Sequence, residues 1–413
     1  MAADANSSTL RYVVESTYGT DPGGTYTEVD FTSESLQQEN STITSNIIRA
    51  DRQVSGVIRN GISSAGAVNI EWKYGGGSTW VNDWLQYAML DGGEHWSTET
   101  TVISGSTNVT VAASNDRYTL GSGSWTATPT VGEWIEVRGF ATNTENNGYK
   151  KVTAATTTTI DVDDALTDDS TGDSITIKQG TYLHNGTSLN TITMEKEWTS
   201  DVVSGTSRFH KFGGIALNTM SSSFDADTLV TGSFGLLGKS QTIATSTGAS
   251  GNNAVPSTDS YNSIDHLQTV RLGSNEISVI GIDWELNNNL RTRLQAGTLG
   301  ALSIGKGSVT LTGTIRAYFE AGTDINDFIN HTSTSLSYPL EDAAGNTLIF
   351  DFPEVKLTAA PTLNEGINTD VIKTFQFTAS RDSSETNHHG GTGGSDGDVA
   401  VDGVTFRIAR FAA

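Results

Sequence analysis

The chain has 413 residues, no cysteine, and 24 basic against 47 acidic side chains, for a net charge of −23. That length holds two or three domains with cores of their own, the missing cysteines exclude disulfides and thiolate metal sites, and the acidic balance argues against wrapping nucleic acid by phosphate neutralisation. The first residues carry neither the basic nor the apolar region of a secretory signal, and no apolar run approaches the roughly 20 residues that span a bilayer. A protein made in the cytoplasm, without contact to a membrane, is expected.

Along the chain the hydropathy period is mostly two, the mark of half-buried antiparallel strands. Residues 31–61 carry few strand signals but hold Ile43, Ile47, Ile48, Val54, Val57 and Ile58, so they read as a long functional loop, apolar enough to dock and too irregular to be core. Val68, Ile70, Trp72 and Tyr74 then alternate with Asn69, Glu71 and Lys73. A helix follows, with Trp80, Val81, Trp84, Leu85, Ala88 and Met89 on one face, Ser78 or Thr79 as cap and Gly92-Gly93 as stop.

From about Trp96 to Gly180 the texture changes, and Asn/Gly and Asp/Gly turns separate short strands near 133–140, 149–152, 158–162 and 174–178. Further strands are predicted over 191–198, 228–236, 280–286, 309–319, 347–357, 371–377 and 404–411. A second, shorter helix has Thr323 as cap and Ile325, Phe328 and Ile329 facing inward. Residues 382–402, with His388-His389 and a Gly-rich run, form an exposed loop.

The second half repeats the order of the first at the level of pattern. Asn46 to Leu85 runs through Arg49 and Arg52, a Gly/Ser-rich turn, an alternating strand and a helix; Asn289 to Ile329 has Arg291 and Arg293, a Gly-rich stretch, an alternating strand and a helix. Phe212 to Gly238 and Phe350 to Ala379 each read as two short strands separated by about ten turn-prone residues. The stretch 97–180 has no counterpart, which divides the chain into a discontinuous first unit (1–96 and 181–250), an inserted small outer β-domain (97–180) and a second unit (251–413). The fold class is mainly β, two tandem sandwich or barrel units each with a flanking helix, plus the insert.

Motifs that carry chemistry are weak throughout. Gly300 to Gly307 comes within one residue of a phosphate loop, but Gly307 stands where Ser or Thr is needed and a strand follows rather than a helix. Asp161, Asp163, Asp164, Asp168, Asp169 and Asp173 crowd together, yet Ala165 interrupts the calcium-loop spacing and a solvated turn is favoured. His388 and His389 with Asp396 and Asp398 read as exposed loop residues before they read as cation ligands. There is no nucleophile elbow. No catalytic residue, metal site or cofactor is assigned.

Ser8 to Thr20 (STLRYVVESTYGT), Phe31 to Leu36 (FTSESL), Ile48 to Gln53 (IRADRQ) and Gly66 before a strand resemble the major tail tube proteins of long-tailed, siphovirus-like bacteriophages. So do Arg293 to Phe319 and Phe375 to Asp382. The resemblance implies β-sandwich-like units assembled into stacked rings, whose inner sheets join edge to edge and so lose their exposed strand edges. By position, residues 31–61 match the family's loop to the adjacent ring. Ile43, Ile47, Ile48, Arg49, Arg52, Val54, Val57 and Ile58 are then the inter-ring contacts.

If each half supplies one tube unit, three chains complete a pseudo-sixfold ring. Implied partners are the chain itself, the terminator and tail-tip proteins, and the tape measure protein followed by DNA in the lumen without specific binding. An acidic wall would repel phosphate and ease ejection. Such a chain resides in the virion tail after synthesis in host cytoplasm. The alternative is a surface adhesin or glycan-binding β-protein, and a tail-spike hydrolase, which needs carboxylates clustered in a groove, ranks third.

Overall fold

The computed structural model describes residues 7–91, 96–198, 208–319, 328–363, 370–382 and 404–413. The chain is mainly β, and its strands follow the period-two segments. Two compact units form: residues 1–93, 186–261 and 282–313 make the first, and residues 94–185, 262–281 and 314–413 the second. This grouping places 282–313 with the first unit and 94–185 with the second, so it does not follow the halves of the chain.

In the first unit, strand Ser8–Val14 lies between Gly24–Val29 and Ile192–Trp198, and Ala249–Asn253 adds in parallel beyond Gly24–Val29. Ile192–Trp198 pairs with the front of an 18-residue strand, Arg208–Asp225. That strand serves two neighbours on its other side. Residues 209–213 face Ser240–Ala244, and residues 216–223 face Thr231–Gly238. The two strands expected between Phe212 and Gly238 are present, but the first runs on to Asp225, so only residues 226–230 separate them rather than about ten. Gly214, at a φ of +66°, redirects the pairing without breaking the chain.

Glu15 holds that bend. Its carboxylate accepts from the Gly19 and Gly214 amides, both at 2.7 Å, and from the Thr191 and Thr193 hydroxyls at 2.8 and 2.7 Å. Four donors from three stretches of chain converge on one nearly buried side chain. Glu15→Ala strips the acceptor from all four and leaves the Gly214 amide buried and unmade, so a loss of about 3 kcal/mol is expected in equilibrium urea unfolding. A change below about 1 kcal/mol would show that water replaces the carboxylate.

The helix is Trp80–Ala88. Trp80 and Trp84 are fully buried, and Trp84 meets the rings of Phe234 and Tyr12 at 5.2 and 5.8 Å. Thr79 is the N-cap by backbone geometry, although its side chain makes no capping bond, and the helix ends at Met89 rather than running to Gly92-Gly93. Leu90, with φ of 55°, takes the left-handed position expected of a glycine. The Ala88 carbonyl is satisfied by Asn288 Nδ2 at 2.8 Å. Gly92 and Gly93 lie outside the described residues.

The second unit contains a separate seven-stranded sheet over 100–179, in the spatial order Thr100–Ser106, Ile175–Gln179, Trp134–Arg138, Gly148–Ala155, Thr159–Val162, Arg117–Leu120, Val109–Ala112. Its own core includes Val102, Tyr118, Trp125, Val137, Ile160 and Ile177. Three strands here were not predicted, those near 100–106, 109–112 and 117–120. Elsewhere in the unit, Ser333–Glu341, Thr347–Ala359 and Ile372–Ser380 form consecutive antiparallel neighbours, and Arg407–Phe411 pairs with both Thr347–Ala359 and Thr181–His184. Phe350, Phe352, Phe377 and Phe406 pack in the core between them.

Trp134, Ile349, Ala409 and Phe411 form a further buried cluster joining the seven-stranded sheet to these strands. A charged group reinforces it: Arg407, wholly buried, donates to the Gly132 carbonyl and to Asp351, and its Nε lies 3.7 Å from Glu133, which also meets His184 at 3.1 Å. The second predicted helix begins outside the described residues, where Thr323 and Ile325 lie. Its visible turn starts at Phe328, and Ile329 points to solvent at 68 % exposure rather than inward.

Candidate assembly surfaces

Residues 31–61 are not an irregular loop. Gln37–Thr44 pairs antiparallel with Val57–Glu71, from Gln37 opposite Ala65 to Thr44 opposite Val57, and the hairpin closes with the Ser45 amide on the Gly56 carbonyl at 2.9 Å. The strands were illegible because neither face of the hairpin end is buried, so no alternation marks them. Thr, Val and Ile nonetheless fill the paired positions and suit extended backbone.

All eight residues expected to make contacts fall on this hairpin. Ile43 stands opposite Ile58, Val57 opposite Thr44, and Ile47, Ile48, Arg49, Arg52 and Val54 occupy the connecting turn. Ile48 is 98 % exposed, Ile47 70 % and Val54 64 %. Single exposed apolar residues are ordinary, but six on one projection are a patch. The turn has internal structure: Arg49 forks onto Asp51, the Arg52 amide returns to the Arg49 carbonyl at 3.2 Å, and Arg52 sits at φ of 60°. The hydrogen-bonded guanidinium keeps the Asp51 carboxyl below its usual range.

A second hairpin projects from the same unit. Arg291–Arg293 pairs with Ser303–Gly305, and Leu294, Leu299 and Leu302 are exposed in and beside its turn. This is the near-phosphate-loop segment, and strand Thr310–Tyr318 does follow it. Lys306 Nζ bonds the Thr187 carbonyl. No nucleotide-binding helix N-terminus is built there.

The acidic run 161–173 is occupied by its own surroundings. Asp161 forks onto Arg117; Asp164 meets Lys150 and Arg271; Asp168, Asp169 and Asp173 accept from the Ala113 amide, Asn143 Nδ2 and the Ala141 amide. Burial opposes the charged form of Asp164, but hydrogen bonds from Arg271 and Lys150 hold its carboxyl below the usual range. Burial raises the Asp163 carboxyl instead, with Lys151 and Arg271 pulling the other way. Each acid is spent on a turn or an ion pair. Among the described residues no group of three or more His, Asp or Glu is placed to hold a metal; His388, His389, Asp396 and Asp398 lie outside them.

One groove of the second unit is lined in part by Asp163, Glu354 and Asp382. Glu354 accepts from Ser380 and Ser333 at 2.7 and 3.2 Å, and the Asp382 backbone bridges Val404, so these acids fasten strand ends. What the surface offers is therefore apolar hairpins and strand edges.

A family model described as "Phage tail tube protein" matches residues 5–379. The chain belongs to the phage tail tube protein family. The match spans both hairpins, the helix and the seven-stranded sheet, and it makes the chain a structural component of the virion tail. Tail tube proteins in general associate with themselves and with other tail proteins. No curated protein matches the chain. Among the described residues no helix is long and apolar enough to cross a membrane.

Proposed function

We propose that three copies of this tail tube protein close a ring of pseudo-sixfold symmetry and that rings stack into the hollow tail tube. The observation that carries the reading is a shared strand order. Val57–Glu71, helix Trp80–Ala88, Ile192–Trp198, Arg208–Asp225 and Thr231–Gly238 follow one another in the chain, and the first strand lies in space beyond the last. Thr310–Tyr318, the turn of helix at Phe328, Ser333–Glu341, Thr347–Ala359 and Ile372–Ser380 repeat that sequence, again with the first strand beside the last. Two such sets per chain give six per trimer.

In this reading residues 1–96 with 181–250 and residues 251–413 are the two tube units, and 97–180 is an outward-facing insert. The hairpin carrying Ile43, Ile47, Ile48, Arg49, Arg52, Val54, Val57 and Ile58 reaches the next ring. Within a ring, open strands such as Ala249–Asn253, paired through Gly24–Val29, find partners on neighbouring copies. The lumen first holds the tape measure protein and then passes DNA, and a net charge of −23 keeps phosphate from sticking to the wall. Terminator and tail-tip proteins cap the two ends.

Negative-stain electron microscopy of the purified chain, with its mass in solution, tests this directly. Hollow tubes and rings of three chains are expected. Rings of six chains would sink the tandem-unit reading while keeping the tube, and a monomer at all concentrations would turn the case toward an adhesin.

A further inference from the structure

Residues 286–319 contain four cations, Arg291, Arg293, Lys306 and Arg316, and no carboxylate, in a chain that carries 47 acids. Hairpin 291–305 stands in this stretch. Arg291 and Arg293 are exposed on its first strand, with Leu294 at 77 % exposure, Leu302 at 51 % and Leu299 at 45 %. The leucines are not on a slack loop. Gly300, at φ of +84°, is buried, and a side chain there would meet Ile62 at 3.2 Å and Lys239 at 3.4 Å, so the turn lies directly on strand Val57–Glu71. The Leu302 amide bonds the Arg293 carbonyl at 2.8 Å, and Arg291 Nη1 bonds the Lys306 carbonyl at 2.7 Å.

We propose that hairpin 291–305 is a second docking element and that its occupant is an acidic surface of a neighbouring copy of this chain. The inference rests on the self-assembling tail tube reading and adds a contact to it. Copies that each carry −23 repel one another, so an association surface needs local charge of the opposite sign. This hairpin supplies it, beside a turn of leucines already fixed in place. A preordered apolar turn loses little conformational freedom when covered, and the flanking arginines select an acidic partner.

Two variants and one cross-link decide the matter, all in the full chain. In L294S/L299S/L302S, and independently in R291E/R293E, the concentration needed for assembly rises about tenfold or more as central contacts are lost, while circular dichroism and urea unfolding stay those of the parent. The absence of cysteine makes L299C a unique handle for a benzophenone maleimide. In assemblies mixed from ¹⁴N- and ¹⁵N-labelled chains, cross-links between the two labels at acidic peptides are expected. Unchanged assembly of both variants, or cross-links confined to one label, overturns the proposal while leaving the tube reading standing. A parent chain that never assembles overturns both.

Discussion

Replacing Ile47, Ile48 and Val54 together by serine is expected to leave the fold intact and to abolish long tubes. All three side chains are more than half exposed at the end of hairpin 37–71, so their removal opens no cavity and strips no buried partner. Substitutions of that kind change stability by no more than about 0.5 kcal/mol each. If the hairpin reaches the next ring, however, the three supply its central apolar contact, and truncating such anchors costs about 2 kcal/mol or more apiece in binding. Sedimentation and electron microscopy should find single rings where the parent gives tubes. Tubes of parental length in the triple variant would remove these residues from the inter-ring contact.

Arg407→Met is expected to have the largest effect on stability of any single change in the second unit. The guanidinium is wholly inaccessible and stands between Asp351, 1 % exposed at the side chain, and Glu133, fully buried. Methionine matches its length but leaves two buried carboxylates, Glu133 facing His184 and Asp351 facing Lys151. Breaking a buried pair from one side costs about 3–5 kcal/mol, which equilibrium urea unfolding would register as a lowered midpoint. Arg407→Lys keeps the charge and loses the fork, so an intermediate loss is expected. A cost below about 1 kcal/mol for the methionine variant would mean that the carboxylates find other partners.

The β character of the chain was plain from alternation wherever one face is buried. Val68, Ile70 and Trp72 and the run from Ile282 through Trp284 to Leu286 are core residues at the expected spacing. The same test was blind to Gln37–Thr44, whose residues are nearly all exposed, because a strand wet on both faces has no hydropathy period. It also set about ten turn-prone residues between the two strands of 212–238, where residues 226–230 suffice because the first strand continues to Asp225 through positions that alternate only in part. Glu15 and Arg407 are invisible to local patterns, since Thr193 lies 178 residues from Glu15 and Gly132 lies 275 residues from Arg407, and only the fold brings them together. The hairpin of residues 37–71 could be found as an apolar segment without core spacing, whereas in hairpin 291–305 Leu302 was read only as part of a near-phosphate loop and Leu294 and Leu299 lay outside every predicted element.

The seven-stranded sheet begins and ends on adjacent strands, with Thr100 opposite Gln179. An element whose two chain ends are neighbours would ordinarily be a removable cassette, closable by a short linker. Here the cluster of Trp134, Ile349, Ala409 and Phe411 and the Arg407 ion group make removal expensive, because excision would bare aromatic core and orphan buried charge. Evolution or an engineer seeking to alter what this sheet presents has a cheaper route at its far turns. Gly123 and Gly172 there have no atom within 4 Å of an added Cβ but take φ of +86° and +144°, so foreign epitopes inserted beside these glycines, with the glycines themselves kept, should be displayed without loosening the body that carries them.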